Sequence, residues 1–225
     1  MAESSFDSVV RFIPYSLLLT TAVVSLLVMA FAARAVSWGA LKEYRGTQHF
    51  FWGSVVVLAV FWQMRAGILP GMHFHILGYT SIMLLMGWPL ALIAAAFVQL
   101  IMLLTGKLEW LEFGFQYLFF SVLPILFSYA FYLVVYRRMV HNPFVYILVA
   151  GFFNAGFTHA FSDVLRSGLM WGLDIHSWDT IWRDYLRYLP MMMFPEGVVN
   201  GMFIAGMVAF HNRWLSTFDE DSYFR

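Results

Sequence analysis

Three short stretches place polar or ionisable side chains inside otherwise apolar sequence, where each is expensive unless something compensates it. The first is Pro70-Gly71-Met72-His73-Phe74-His75. Two histidines at i and i+2 lie on opposite sides of a regular helix, but at a broken or non-helical entry they can converge and chelate. Imidazole suits zinc, copper, nickel and cobalt. Unwound backbone at membrane depth lines a cavity or is buried in protein, which favours a metal site over two interfacial histidines bonded to backbone or lipid. The second stretch carries Asn154, His159 and Asp163. His159 and Asp163 are four apart and share a helical face. The carboxylate can fix the tautomer of a metal-bound imidazole, or the two can form a plain helix-end salt bridge. The third is Phe194-Pro195-Glu196-Gly197-Val198-Val199-Asn200-Gly201. Here Glu196 and Asn200 share a face, and the Gly-X-X-X-Gly spacing allows close helix contact. Glu196 is read as a ligand, gate or proton site, against a hydrogen-bonded acid that locks helices together. Asp163, Asn154, Asn200 and Gln99 are expected to support or gate the metal candidates His73, His75, His159 and Glu196.

Other chemistry is excluded or weak. The chain has no cysteine, so disulfides, thiolate sites and iron–sulfur clusters are out. It has no phosphate-cradling Gly-rich loop with Lys-Ser/Thr, so any active movement draws its energy from another polypeptide. Neither a Gly-X-Ser-X-Gly elbow nor a His-Glu-X-X-His helix occurs. Met191-Met192-Met193 points three ways on a helix and reads as packing. His49, His141, His176 and His211 fall at expected rims.

These residues must be positioned by apolar elements. Of 225 residues, 61% are hydrophobic and 12% charged, half the charge a soluble surface needs. Thirteen basic and thirteen acidic side chains cancel, and no run of one sign supports a nucleic-acid partner. With spans of about 20 residues, the pattern predicts an all-α bundle crossing the bilayer seven times. The expected spans cover Ile13–Val36, Phe50–Met64, Met72–Met86, Leu90–Thr105, Gly114–Tyr136, Pro143–Phe161 and Tyr188–Phe210. The opening, with Glu3, Asp7 and Arg11, lacks the basic cluster of a signal peptide. A polar segment at 162–187, with Trp171, Trp178 and Trp182, suits a piece at the membrane surface. Basic residues at 34–45, 137–138 and 213 predict an N-terminus outside. No repeat or linker divides the chain, so a single transmembrane domain over 1–225 is expected.

The stretches Met72–Thr80, Gly87–Leu92 (Gly-Trp-Pro-Leu-Ala-Leu) and Val98–Gly106 (Val-Gln-Leu-Ile-Met-Leu-Leu-Thr-Gly) resemble the CbiM/NikM family. These are the substrate-capture permeases of energy-coupling-factor transporters for cobalt and nickel. The Glu196-Gly197 pair in the last span is also similar to that family, and the resemblance covers roughly residues 65–135 and 190–212. It implies a helical permease in a bacterial-type inner (plasma) membrane that takes up a transition metal. It also implies a coupling transmembrane subunit and ATPase subunits as partners. His75 matches the family's internal metal-binding His, and His73 is a ligand the family pattern lacks. The family's Met-His-Ile start, whose amino terminus and His help build the metal site, is here Met1-Ala2-Glu3-Ser4. Gln116 stands near the family's Asn. A membrane metalloenzyme, or a redox or assembly subunit on the same fold, is the alternative. Genomic neighbours would separate the two.

Overall fold

The computed structural model describes residues 9–39 and 45–223. The opening Met1-Ala2-Glu3-Ser4, Asp7 and Lys42 of the first basic loop lie outside the described residues. Helices α1 (Tyr15–Ala35) and α2 (Arg45–Gln63) lead to a short hairpin, β1 (Ala66–Leu69) and β2 (Met72–Phe74). Then follow α3 (Tyr79–Leu104), α4 (Trp110–Arg138), α5 (Pro143–Gly172), a short α6 (Trp178–Asp184), α7 (Leu189–His211) and a C-terminal turn α8 (Glu220–Tyr223).

Five helical stretches among the described residues are long and apolar enough to cross a bilayer: α1, α3, α4, α5 and the run Trp178–Trp214 that contains α7. The expected count of seven is not confirmed. Helix α2 opens on Arg-Gly-Thr-Gln-His and is too polar. The third expected span does not begin as a helix at all, because Met72–Phe74 pairs with β1. Pro70 and Gly71 make the hairpin turn, with Gly71 at φ 73°.

Helix α3 doubles back. The Tyr79 hydroxyl and the Gln99 amide both donate to the Ser121 hydroxyl, at 2.6 and 2.9 Å. In a straight helix these residues would sit about 30 Å apart. The bend is at Gly87, whose φ of 79° and ψ of 162° belong to no helix. Pro89, lacking an N–H, cannot pair the carbonyl of Leu85. The Leu85 carbonyl accepts instead from Ser216 N (2.9 Å), and the Leu84 carbonyl from the Thr217 hydroxyl (2.7 Å). The C-terminal segment thus satisfies groups that the bend sets free.

Proline shapes α4 as well. Pro124 removes the donor that Phe120 O would meet one turn on, and residues Leu118–Val122 widen into a π turn. Small residues set the closest helix contacts. A Cβ on Gly114 would lie 2.4 Å from the Ala22 Cα, and one on Gly201 3.0 Å from the Phe152 Cβ. The Gly197/Gly201 spacing therefore serves the close contact expected of it.

The bundle has two distinct ends. At one, Arg65 donates to Lys107 O (2.8 Å), Val9 N to Glu112 Oε1 (2.9 Å), His176 meets Pro70 O (2.8 Å) and the Tyr185 hydroxyl reaches His73 O (3.4 Å). At the other, Phe31 stacks on Trp88 and His141 meets Tyr223. Leu26, Leu27 and Phe31 on α1 and Val56, Val57 and Val60 on α2 face outward. Such apolar faces suit acyl chains, and the chain is an integral membrane protein.

Candidate functional site

The strand brings His73 and His75 together. Side chains at i and i+2 of a strand share a face, and the two rings lie 5.2 Å apart, nearly parallel. The non-helical entry at which they converge is the strand β2 and the residue after it. His75 also packs on Trp62 (4.7 Å between ring centres), whose indole donates to Leu77 O (3.3 Å). Nδ1 of His73 is buried without a hydrogen-bond partner, while Nδ1 of His75 lies 3.2 Å from Ile76 O. Burial, reinforced by the charge of Arg166, pushes His73 well below its usual pKa and His75 down to about 3. Both rings are therefore neutral and have lone pairs to give.

They line a cavity of about 30 Å³, room for one or two water-sized groups. Its other walls include Gln99, Glu112, Gln116, Lys107, Arg65 and Arg166. Gln99 spends its amide nitrogen on Ser121, which leaves its oxygen buried and unpaired. Glu112 is 2% exposed, and one of its oxygens holds the backbone of Val9. The π turn in α4 presents Phe120 beneath Arg166, whose guanidinium carbon lies 4.0 Å from the ring centre.

A second polar cluster sits where α5 and α7 pack. His159 Nε2 lies 3.2 Å from Asp163 Oδ2, and its Nδ1 lies 3.4 Å from Glu196 Oε2. These are ion-pair distances without the alignment of hydrogen bonds. The Tyr185 hydroxyl donates to Asp163 Oδ1 (2.8 Å). Glu196 accepts from Leu77 N and Gly78 N, both at 2.8 Å, and from the Asn200 amide at 2.9 Å. Asn200 Oδ1 in turn accepts from the backbone and hydroxyl of Ser81 (3.0 and 2.7 Å). One face of α7 thus grips the unwound segment that follows His75. Gly78 makes that grip possible: its φ of 69° turns the chain into α3.

The four metal candidates therefore fall into two pairs, His73 with His75 and His159 with Glu196. Among the described residues no group of three His, Asp or Glu stands ready to hold a metal. Of the supporting residues, Gln99 lines the cavity, Asp163 and Asn200 serve the second cluster, and Asn154 ties α5 to α4 through Ser128 O (3.0 Å). Sequence reasoning passed over Arg166. It lies one turn beyond Asp163 on the face that His159 begins, and that shared face is the signal that would have found it. Ser162, Asp163 and Arg166 of the segment expected at the surface are buried. Trp171, Trp178 and Trp182 of the same segment are exposed.

The sequence pattern of one family, described as "Cobalt uptake substrate-specific transmembrane region" (CbiM), matches residues 10–214. Two crystal structures are similar. A truncated transition metal transporter is 13% identical, with a TM-score of 0.63 over 88% of this chain and 94% of that one. A transition metal transporter is 14% identical, with a TM-score of 0.62 over 90% of each chain. No curated protein matches. At these identities the structural likeness establishes the fold and leaves the chemistry to the residues present.

Proposed function

Because the chain belongs to the CbiM family of cobalt-uptake transmembrane proteins, we propose that it is the substrate-binding component of a transition-metal importer. It would lie in a bacterial-type inner membrane, with a coupling transmembrane subunit and ATPase subunits supplying the energy this sequence has no motif to supply. The family match carries the reading, and the His73–His75 pair gives it a place. Two neutral imidazoles line a cavity with room for an ion. Cobalt and nickel follow from the family, and zinc and copper suit the same nitrogens. Glu196, His159 and Asn200 act on the metal indirectly, by holding the 75–78 segment that carries His75. The metal would be stripped of water at the hairpin end and released when the partner subunits rearrange the bundle.

The test is elemental analysis and titration of gently solubilised, chelator-free protein with cobalt and nickel. The expected result is near-stoichiometric binding, weakened by about tenfold or more in His73→Ala and in His75→Ala. If the wild type takes up neither ion at micromolar concentration, the reading fails and a role as a membrane assembly subunit replaces it.

A further inference from the structure

Resting on that reading, one ion can meet both imidazoles only if the strand holds them in register. Glu196 grips the chain after His75, at Leu77 N and Gly78 N. The strand itself is gripped from its other face. Side chains alternate along a strand, so Phe74 is turned opposite to the two histidines that flank it. Its ring lies 4.4 Å from that of Tyr185, centre to centre, and 7° from parallel. Stacked aromatic pairs of this kind contribute beyond the area they bury.

Tyr185 is fully buried and stands where α6 ends. Its hydroxyl has one proton, which goes to Asp163 Oδ1 at 2.8 Å, the shorter and charged of its two contacts. The other, His73 O, lies 3.4 Å from the same oxygen. Asp163 is itself buried on α5 and lies 3.2 Å from His159, which faces Glu196 at 3.4 Å. A line of contacts thus runs from Phe74 through Tyr185, Asp163, His159 and Glu196 back to Leu77 and Gly78. It closes around the segment that carries His75.

We propose that Tyr185 is a positioning residue for the metal site, fixing the back of the strand through Phe74 so that His73 and His75 present their rings to one ion. It touches no metal. The ring carries the stack, and the hydroxyl anchors the ring to α5. Tyr185→Phe keeps the stack and releases the anchor, and Tyr185→Leu removes both.

The experiment measures cobalt affinity and the visible absorption of bound cobalt in the purified protein. Amide hydrogen exchange of residues 72–75 is followed in parallel on metal-free protein. The control is Tyr146→Phe, which deletes another buried tyrosine hydroxyl, bonded to Thr217 at the opposite end of the bundle (2.6 Å). Tyr185→Phe should bind cobalt about tenfold more weakly, and Tyr185→Leu more weakly still. Both should shift the cobalt absorption, because the ligand geometry changes, whereas a general loss of stability lowers occupancy without moving the band. Exchange at 72–75 should quicken in the same order. Tyr146→Phe should stay within about twofold of wild type in affinity and exchange. If Tyr185→Leu fails to fold, Tyr185→Phe decides alone. Exchange at 72–75 within about twofold of wild type in Tyr185→Phe would overturn the proposal, whether or not cobalt binds. So would faster exchange with unchanged cobalt affinity, or a Tyr146→Phe protein that changes as much as Tyr185→Phe. If wild type binds no cobalt while exchange at 72–75 still depends on Tyr185, the hold on the strand stands and the transport reading alone falls.

Discussion

Glu196 spends its carboxylate on backbone. It accepts from Leu77 N, Gly78 N and the Asn200 amide, and it faces His159. An amide at this position can accept at one oxygen only and turns a donor toward groups that already donate. Glu196→Gln should therefore cost about 1–3 kcal/mol, read as a lower thermal midpoint in detergent. Metal affinity should fall with it, since the freed segment carries His75. Unchanged affinity in a destabilised Glu196→Gln protein would show that the grip on 75–78 does not reach the imidazoles. The spacing of Glu196 and Asn200 was legible as a shared face, but their partners were not. Nothing in a local pattern says that a carboxylate will meet N–H groups 119 and 118 residues away.

At the scale of elements, two glycines fail in different ways when given a side chain. At Gly87 there is room for a Cβ, since the nearest atom would be 3.6 Å away, but the φ of 79° is strained for any other residue. Gly87→Ala should cost about 1–3 kcal/mol through backbone strain. At Gly114 the obstacle is steric, and it is the Ala22 backbone, 2.4 Å from a new Cβ. Gly114→Ala should cost about 1–3 kcal/mol by overpacking and break the Ser25 hydroxyl bond to Gly114 O. Adding Ala22→Gly should not restore stability, because the clash is with main chain. A full rescue by that double variant, seen in thermal unfolding, would mean that α1 contacts α4 through side chains alone. Gly87-Trp88-Pro89 was readable as a turn from composition. That the carbonyls it exposes are met by Ser216 and Thr217 was not.

For the whole molecule, the two ends differ in content, and the basic residues of the short loops distinguish them. Arg34, Arg137, Arg138 and Arg213 fall at the ends of α1, α4 and α7, the end that holds the C-terminal segment. The cavity opens among the hairpin and the 105–112 turn at the other. The short-loop positive-inside count predicts that the cavity end lies outside. Since the chain has no cysteine, single introduced thiols report sidedness cleanly. Trp110→Cys, at a residue 75% exposed, should react with a membrane-impermeant maleimide in intact cells. Ser222→Cys should react only after permeabilisation. The opposite pattern would invert the orientation and place the imidazole pair on the cytoplasmic side.

The sequence by itself determined the solvent. A chain 61% hydrophobic and 12% charged must put its apolar faces against lipid, and its few buried polar residues had to be where it does something. Those are properties of composition and near spacing, which act along the chain. Tertiary structure alone decided which polar groups meet. It made His73 and His75 neighbours through a strand, turned Glu196 from a candidate ligand into a clamp on backbone, and buried Arg166 against the imidazole cavity. The reason is physical: a buried polar group is satisfied by whatever partner the packing delivers, and in a bundle that doubles back at Gly87 those partners lie tens of residues away.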